Sequence, residues 1–586
     1  MTMAEAVVVT LAVVFVTAGV LSLVANHFGL SPIPFYVIAG ILTGTVVDEP
    51  DVLQLALWGI AFLVFVFGIR IDFGALRSVL RDGESAAIAQ LIVVGPLAFG
   101  VGVGVLEVFG IDDPFQNAIY FAIAATLSST IVGGGLLERE IRDKFVHGRL
   151  ASSIHLFDDL LAICVLLVLS AEVLTAEAVT SKIGYGVLFL AAAMLIYRHG
   201  YPLLLRFAGD SEELLLMSSI SILIAFIAAA EFVEVSIVVG AFAAGIAIRS
   251  EGSLTLGVRN GIDSITDFFV AIFFVTVGAL VSIPTLETLV LAGVLCLLVL
   301  IANPLVMVFA FVYEGYDPRT AFFAATSLNQ VSEFALVVAI QAIVLDHLSI
   351  ATAMFDAIIL AAAVTMILTA VTRRHEEWLY GGVVDRLRVA RPTQKVDRRS
   401  VIRADLENHV IIVGFGRHAR WLVDTCEDRN VPYVVIENDP ARWDEMRREC
   451  DNYVLGDAMA SHPWELARIE SASLVVSTID HRQVSETILD LLPGTTGRGG
   501  EHVEHIPEIE SSPDVILRAE TAAEARELLD QGATFVNVPS VLAGDQFVEL
   551  LRAVVSGDRE REDVRIEHLD TLSRLERYGF GSRFEE

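Results

Sequence analysis

An adjacent pair of aspartates inside an apolar segment constrains this chain more than any other feature of the sequence. Asp158 and Asp159 lie within the apolar run 150–173, which is long enough to span a bilayer as a helix. A charged carboxylate at the centre of such a helix costs about 2.5–3.5 kcal/mol on insertion scales, so intramembrane acids are functional by default. Neighbouring helical residues point about 100° apart, so we predict that one acid faces a cavity and the other reaches a neighbouring helix.

The two acids together predict a site at which protons and cations compete. Burial and the neighbouring like charge both favour protonation, so the pair is expected to hold protons that a bound cation displaces. This is the chemistry of a cation/proton exchange site. The alternative is a protonated carboxyl group that only forms a hydrogen bond inside a helix bundle.

Apolar runs recur along the first two thirds of the chain. Hydrophobic residues make up 54% of the 586 residues, which is too many for an ordinary soluble protein. The runs predict about thirteen spans, at residues 4–25, 33–48, 52–70, 85–109, 116–137, 147–173, 183–200, 213–231, 234–250, 261–282, 286–313, 319–345 and 350–372. The predicted fold class is therefore a polytopic α-helical membrane domain followed by a soluble part.

Basic residues mark one side of the predicted membrane domain. They fall in alternate loops or span ends, at Arg77, Arg81, Arg139, Arg142, Lys144, Arg149, Arg198, Arg206, Arg249, Arg259 and Arg319. The opposite side has only Lys182. The positive-inside rule therefore predicts a multi-pass protein of the cell membrane with its N-terminus outside and its C-terminal part in the cytoplasm.

Two predicted spans are polar where a span should be apolar. The fifth contains 126–130 (TLSST) followed by the glycines 133–135, and the twelfth contains 326–333 (TSLNQVSE). Each is the middle member of a three-span group, 85–173 or 286–372, and the two groups enter the membrane from opposite sides. Paired interrupted helices predict inverted repeats with broken crossing helices around a midplane site. The alternative is that Ser and Thr bond carbonyls of their own helix and that Gly permits close packing, which we prefer for the glycines alone.

The membrane part resembles the monovalent cation:proton antiporter-2 family, the Kef-type and sodium/proton exchanger group. The stretches that carry the resemblance, over about residues 5–372, are 39–44 (AGILTG), 65–72 (FVFGIRID), 126–130, the aspartate pair, 240–245 (GAFAAG), 273–278 (FFVTVG) and 329–334 (NQVSEF). The resemblance implies a dimerisation domain and a core domain that exchanges access by an elevator-like movement.

The resemblance also implies roles for individual residues. Asp159 would be the principal cation and proton carrier, with Asp158 as its partner, and both would be ligands of a transported Na⁺ or K⁺. The ion- and proton-binding residues expected on this basis are Asp158, Asp159, Thr126, Ser128, Ser129, Asn303, Asn329 and Glu333.

One departure from the family's pattern and one neighbouring histidine bear on the two aspartates. Many relatives with an acid pair place a Lys in the span matching 286–313, whereas here Asn303 sits about where the Lys is expected. Without a fixed cation, the acids must be neutralised by protons or by the transported ion. His155 lies within helical reach of both acids and could tune or relay protons, although we prefer a satisfied interfacial histidine.

A nucleotide-binding fingerprint follows the membrane part. The buried-strand run 409–413 leads into 414–419 (GFGRHA), a GxGxxG pattern with Ala at the last position, and then into a helical stretch. A second strand ends in Glu437, about twenty residues after the glycines. The glycines let a pyrophosphate approach the helix N-terminus, and the acid can accept ribose hydroxyls. The pattern favours NAD(H) or an adenosine nucleotide over NADP.

Further short strands predict a doubly wound, Rossmann-like α/β domain. This part resembles the TrkA-N or RCK regulatory domain of potassium transport proteins over about residues 407–540. The resemblance implies nucleotide sensing and dimerisation, with five residues near the ligand: Gly414, Gly416, Arg417, Glu437 and Asp457. A catalytic dehydrogenase is the competing interpretation, but no substrate domain is recognisable, so we predict that the protein is not an enzyme.

The predicted domain order is a membrane domain over 1–373, a linker over 374–406, a nucleotide-binding domain over 407–540 and an acidic segment over 541–586. A net charge of −32 argues against nucleic-acid binding. The predicted function is monovalent cation/proton antiport by a homodimer, regulated by a cytosolic nucleotide-binding domain. The alternatives are a ligand-gated potassium efflux system with channel-like flux and a membrane-anchored NAD-dependent oxidoreductase.

Overall fold

The computed structural model describes residues 3–28, 31–44, 49–71, 83–142, 145–169, 176–208, 211–248, 253–344, 353–387, 400–403, 406–459, 461–479, 481–492, 513–556, 562, 564–566 and 568–569. The chain divides into two compact units, 1–314 with 318–380 and 315–317 with 381–586. Separate hydrophobic cores form within the membrane helices and around the sheet of the second unit.

The first unit is built from helices. They are α1 (Met3–His27), α2 (Ile33–Thr43), α3 (Glu49–Arg70), α4 (Gly83–Phe109), α5 (Pro114–Thr126), α6 (Thr130–Leu136), α7 (Glu138–Arg142), α8 (Val146–Leu169), α9 (Ala176–Leu195), α10 (Tyr201–Ala208), α11 (Glu212–Phe232), α12 (Ile237–Ile246), α13 (Ser253–Ala279), α14 (Leu286–Glu314), α15 (Pro318–Thr326), α16 (Glu333–Val344) and α17 (Ala353–Arg374).

Within the described residues, every predicted apolar run contains helix. Among the described residues, seven helices are long and apolar enough to cross a membrane, and shorter apolar helices lie in α1, α2, α12, α13 and α16. The remaining run, 116–137, is the broken pair α5 and α6. The predicted helical membrane fold with interrupted helices is confirmed.

Glycines bring α2 and α13 into backbone contact. A Cβ atom at Gly40 would lie 2.0 Å from the carbonyl oxygen of Val275, and one at Gly278 would lie 2.1 Å from that of Val37. These glycines belong to the stretches 39–44 and 273–278. Because small residues let membrane helices approach closely, the two stretches form one helix contact.

The contact between α3 and α12 has the same form. A Cβ atom at Gly245 would lie 2.2 Å from the carbonyl oxygen of Phe65, and one at Gly68 would lie 2.6 Å from that of Phe242. The stretches 65–72 and 240–245 therefore also meet through their backbones, apart from Asp72, which lies outside the described residues.

The two three-span groups share a local irregularity. In α4 a π turn at Gln90–Val94 stands directly before Gly95-Pro96, and in α14 a π turn at Leu298–Ala302 stands directly before Asn303-Pro304. Proline lacks an N–H and its ring clashes with the carbonyl four residues earlier, so a wider turn accommodates it. Each group thus consists of a π-turn helix, a broken helix and a third helix, in the same order.

The second unit contains a parallel sheet with helical connections. Its elements are β1 (His409–Val413), α19 (Arg417–Asp428), β2 (Tyr433–Glu437), α20 (Trp443–Glu449), β3 (Tyr453–Leu455), α21 (Ser461–Leu466), β4 (Ala472–Ser477), α22 (Arg482–Asp490), β5 (Asp514–Arg518), α23 (Ala522–Asp530), β6 (Phe535–Asn537) and α24 (Pro539–Ser556). The strand order is β3-β2-β1-β4-β5-β6 and every pairing is parallel. This is the strand order of doubly wound, dinucleotide-binding sheets, the fold class predicted for this part of the chain.

Two helices lie near the predicted domain boundaries. Helix α18 (Glu376–Leu387) falls inside the predicted linker 374–406, whose residues 388–399 and 404–405 lie outside the described residues. Helix α24 starts at the end of the predicted nucleotide-binding domain and occupies the start of the segment 541–586. Strand β6 was not among the predicted strands.

Candidate functional site

The two broken helices pair at their breaks. Ser128, between α5 and α6, forms an isolated antiparallel bridge with Val331, between α15 and α16. The N–H of Ser332 donates to the carbonyl oxygen of Leu127 at 3.1 Å. The two interruptions thus run antiparallel through one place, as an inverted repeat requires.

Asp158 is held by the first break. Its side chain is buried, and Oδ2 accepts hydrogen bonds from the backbone N–H of Ser128 at 2.8 Å and from Ser128 Oγ at 2.5 Å. The short second distance falls in the range of charge-assisted bonds between a hydroxyl and a carboxylate. The break therefore solvates the charged form of Asp158 in place of water.

Asp159 reaches another residue of the same break. Thr130 Oγ1, at the first position of α6, lies 2.8 Å from each carboxylate oxygen of Asp159. Asp159 is 0% exposed, so this hydroxyl is its nearest substitute for water. Adjacent positions on α8 thus carry the two acids to Ser128 and Thr130, in accord with their different directions around the helix.

A third buried carboxylate belongs to the second crossing helix. Glu333 begins α16, and its Oε1 accepts from the N–H of Ile131 at 3.1 Å. It interacts electrostatically with Asp158 and with Asp159. Within the described part of the chain, none of the three acids forms an ion pair. Only protons or cations can therefore neutralise them.

Two predicted lining residues serve the helices themselves. Thr126 Oγ1 donates to the carbonyl oxygen of Ala122 at 2.7 Å. This is a bond within its own helix, as the alternative explanation for the polar residues of the broken spans predicts. Ser129 caps α6, because its Oγ accepts from the N–H of Val132 at 3.2 Å. The Thr126 hydroxyl thus serves its own helix, and Ser129 caps α6 and also interacts with the Glu333 carboxylate. Ser128 and Thr130 bind the two aspartates.

Two predicted asparagines are buried with unused acceptors. Asn303 is the first residue after the π turn of α14, and Asn329 lies in the second break, where its backbone carbonyl accepts from Thr369 Oγ1 at 2.8 Å. In the described residues, Oδ1 of each asparagine has no hydrogen-bond partner, and no bond joins Asn303 to either aspartate. Buried acceptors of this kind call for a partner such as water or an ion.

Three residues that were not among the predicted site residues also belong to the crossing, although two of them lie in the predicted polar stretches. They are Thr130, Gln330 and Gln90. Gln330 Nε2 donates to the carbonyl oxygen of Ser129 at 3.1 Å, which ties the second break to the first. Gln90 Nε2 donates to the carbonyl oxygen of Thr126. A lone Gln in the apolar run 85–109 was the signal that could have identified it.

The glycines of the fingerprint have separate tasks in the second unit. Gly414 has a φ of 86°, and a Cβ there would lie 2.9 Å from Thr478 Oγ1, so this position needs glycine. Gly416 precedes α19 in an extended conformation, with no side-chain cap and no described atom within 4 Å of a Cβ. The open space beside Gly416 leaves the first N–H groups of α19 accessible to a phosphate.

Glu437 ends β2 with its carboxylate turned onto the glycine loop. Oε2 accepts from the N–H of Phe415 at 2.6 Å, and Oε1 accepts from those of Asn438 and Asp439, each at 2.9 Å. These bonds fill three of the roughly four acceptor positions of a carboxylate. Burial raises the pKa of Glu437, which the nearby Arg442 opposes. One acceptor position thus remains for a ribose hydroxyl.

The other two predicted nucleotide contacts lie at the same edge of the sheet. Asp457 follows β3 and is buried, with Oδ1 accepting from the N–H of Met459 at 3.0 Å. Arg417 is the exposed first residue of α19. Residues after the carboxyl ends of parallel strands line the ligand crevice of doubly wound sheets, so all five predicted residues occupy that edge.

Each of the two units contains a stretch that matches a known protein family. Residues 11–374 match the family described as sodium/hydrogen exchanger, transmembrane. Residues 410–539 match the TrkA-N domain.

Individual relatives extend over most of the chain. YbaL of Escherichia coli (strain K12) is 28% identical over 567 residues, which cover 93% of this chain and 97% of YbaL. The glutathione-regulated potassium-efflux system protein KefC of Salmonella newport is 26% identical over 577 residues, 94% of this chain and 86% of KefC. The structure of the sodium proton antiporter MjNhaP1 from Methanocaldococcus jannaschii at pH 8 covers 64% of this chain and 97% of that chain, with a TM-score of 0.51 and 11% identity, a likeness in fold.

Proposed function

Because this chain belongs to the sodium/hydrogen exchanger family and carries a C-terminal TrkA-N domain, we propose that it exchanges Na⁺ or K⁺ for H⁺ across the cell membrane. Asp158 and Asp159 carry either protons or the cation, and one species leaves before the other binds. The family is one of transporters, and we assign no catalytic residue.

One observation carries this proposal most directly. Asp158 and Asp159 are buried at the crossing of two broken helices, each bonded to a hydroxyl of the first break. Hydroxyl donors stabilise a carboxylate without neutralising it, so each acid can still bind a proton or a monovalent cation. Buried acids inside a membrane domain are costly, and they mark ion or proton pathways.

The other residues of the crossing have supporting tasks in this proposal. Ser129 and Thr126 shape the ends of α5 and α6, and Asn303 and Asn329 supply neutral oxygen ligands on the cation's route. Glu333 adds a third exchangeable charge close to the pair. Oxygen ligands suit a hard monovalent cation, and neutral amides bind it without holding it too tightly to leave.

The second unit is proposed as a cytoplasmic regulator that binds NAD(H) or an adenosine nucleotide. The N-terminus of α19 would hold phosphate next to Gly416, Glu437 would accept a ribose hydroxyl, and Asp457 and Arg417 would border the ligand. A homodimer, formed through the membrane and nucleotide-binding domains, completes the proposal. When bound, the nucleotide supplies only binding energy that shifts the conformation, because its role is regulatory.

Proton flux in proteoliposomes tests the proposed exchange. With an imposed pH gradient, we expect addition of Na⁺ or K⁺ to dissipate the gradient, and the active cation identifies the substrate. The KefC relative is named a potassium-efflux system, and the alternative for this chain is potassium efflux with channel-like flux. Cation flux without coupled proton movement would support that alternative, and movement of neither ion, with NAD(H) or adenosine nucleotides present, would refute the antiporter.

Substitutions at the two fingerprint glycines should separate ligand binding from folding. Gly416→Val places a side chain in open space on an extended backbone, so we expect unchanged stability without nucleotide and at least about tenfold weaker binding of NADH or AMP. Gly414→Ala is the contrast, because a non-glycine residue at its positive φ costs about 1–3 kcal/mol. Calorimetric titration and thermal unfolding of the full-length protein measure both. If Gly416→Val bound NADH or AMP with wild-type affinity, the phosphate would have to bind somewhere other than beside Gly416.

Nucleotide affinity should also depend on pH through Glu437. Protonation of this carboxylate turns one acceptor position into a donor, so only the ionised form keeps the position left for a ribose hydroxyl. Burial raises the pKa of Glu437 above the usual glutamate range. Affinity for NADH should therefore fall as the pH drops through that raised pKa, at a higher pH than for an exposed glutamate. Glu437→Gln should bind weakly with a flat profile over the same range. If the affinity of Glu437→Gln for NADH still declined with falling pH, a group other than Glu437 would be responsible for the decline.

A further inference from the structure

His155 is buried one helical turn before the aspartates and bonds to the same break. It is 2% exposed, and its Nδ1 lies 3.3 Å from Ser128 Oγ. Its Nε2 is buried without a hydrogen-bond partner among the described residues. Within the described residues the ring is buried and bonded at one nitrogen only, which differs from the satisfied histidine preferred from the sequence.

The hydrogen bonds of Ser128 determine which atoms donate and which accept between His155, Ser128 and Asp158. Asp158 Oδ2 already accepts the backbone N–H of Ser128, so when Asp158 is ionised the hydroxyl also donates to it, at 2.5 Å. A hydroxyl has one proton, so Ser128 Oγ must then accept from His155 Nδ1–H. The opposite tautomer would leave a buried N–H without an acceptor at Nε2, which is the costlier defect.

The absence of a side chain at Gly133 leaves room for the imidazole ring of His155. A Cβ atom at Gly133 would lie 2.6 Å from His155 Nε2 and 2.5 Å from Gln330 Nε2. By contrast, Gly134 and Gly135 have no described atom within 4 Å of a Cβ. Of the three glycines, only the first is required by the ring, so the packing alternative weighed for the run applies at Gly133 alone.

From this geometry we propose that His155 is a positioning residue of the cation site, holding the Ser128 hydroxyl as a donor to the Asp158 carboxylate. The inference rests on the proposed antiport. Hydrogen bonds in series polarise one another, so the imidazole N–H strengthens the bond that Ser128 makes to Asp158. Cation and proton compete for that carboxylate, so a weaker bond from Ser128 favours the proton and raises the cation concentration needed for exchange.

Two substitutions at His155 distinguish positioning from packing. Asn places an amide N–H close to the position of Nδ1, whereas Leu fills similar space without a donor. In proteoliposomes at fixed pH, we expect His155→Leu to raise the KM for the cation about three- to tenfold and His155→Asn to stay near wild type. A purely structural role would lower the maximal rate of both variants in proportion to lost protein and leave KM unchanged, which would overturn the proposal.

A double-substitution cycle with Ser128→Ala completes the test. Because His155 acts through Ser128, His155→Leu should add no further change in KM to Ser128→Ala. Additive effects of the two substitutions would mean that His155 acts by another route and would overturn the inference. In both outcomes of this cycle the wild-type protein still exchanges cations for protons. If the proposed antiport itself is wrong, the wild-type protein shows no cation-coupled proton flux.

Discussion

Replacing Asp159 with Asn is expected to abolish cation-dependent proton flux. Asn cannot exchange a proton for a cation, yet its Oδ1 can still accept from Thr130 Oγ1, so the crossing should fold as before. In proteoliposomes with an imposed pH gradient, the variant should give no cation-dependent dissipation above that of empty vesicles. Size-exclusion profile and thermal unfolding should match those of the wild type.

A second buried aspartate provides the matched control. Asp356 is buried in the first turn of α17, where its Oδ1 accepts from the N–H of Ser282 at 3.2 Å. Asp356→Asn removes an intramembrane acid but keeps this acceptor, so antiport should remain near wild type. If Asp159→Asn keeps cation-coupled flux, or if Asp356→Asn loses it equally, the exchange site has been misassigned.

Gly278→Ala should strongly destabilise the membrane unit. The added Cβ would lie 2.1 Å from the carbonyl oxygen of Val37, so α2 and α13 must separate along their whole contact. Overpacking of this kind costs about 1–3 kcal/mol or more. We expect a fall of about 3–10 °C in the thermal transition of the detergent-solubilised protein, with lower yield of folded material.

Gly104→Ala is the control for this effect. It lies inside α4 with no described atom within 4 Å of a Cβ, so the added methyl group meets nothing. Alanine favours helix over glycine by about 1 kcal/mol, so the transition should stay the same or rise. Equal losses in the two variants would show that glycine is needed for helix flexibility instead of for the contact between α2 and α13.

The family and the order of elements followed from local pattern. Apolar runs identified the membrane helices because insertion depends on the composition of each segment alone. The breaks in the fifth and twelfth runs were visible because Ser, Thr, Asn and Gln are rare within spans. The parallel sheet followed from buried strands alternating with helices, and the match to the sodium/hydrogen exchanger family confirms the resemblance that these motifs indicated.

Individual roles were harder to infer. Thr126 and Thr130 flank the same break, but Thr126 bonds within its own helix and Thr130 binds Asp159. Both are threonines in one polar stretch, so composition could not tell them apart. The difference arises because α5 ends at Thr126 and α6 begins at Thr130. The Thr130 hydroxyl reaches Asp159 of α8, whereas the Thr126 hydroxyl bonds to Ala122 of its own helix.

The sequence by itself determined that two acids lie in a membrane helix, that two other helices are broken, and that a dinucleotide fold follows. Those properties depend on segments of a few dozen residues whose insertion and periodicity are local. Only the tertiary structure decided which groups meet: His155 with Ser128, Gly133 with the imidazole, and Glu333 with Ile131 across 202 positions. Such contacts depend on how separate helices pack, and packing is set by the shapes of all the surrounding side chains together.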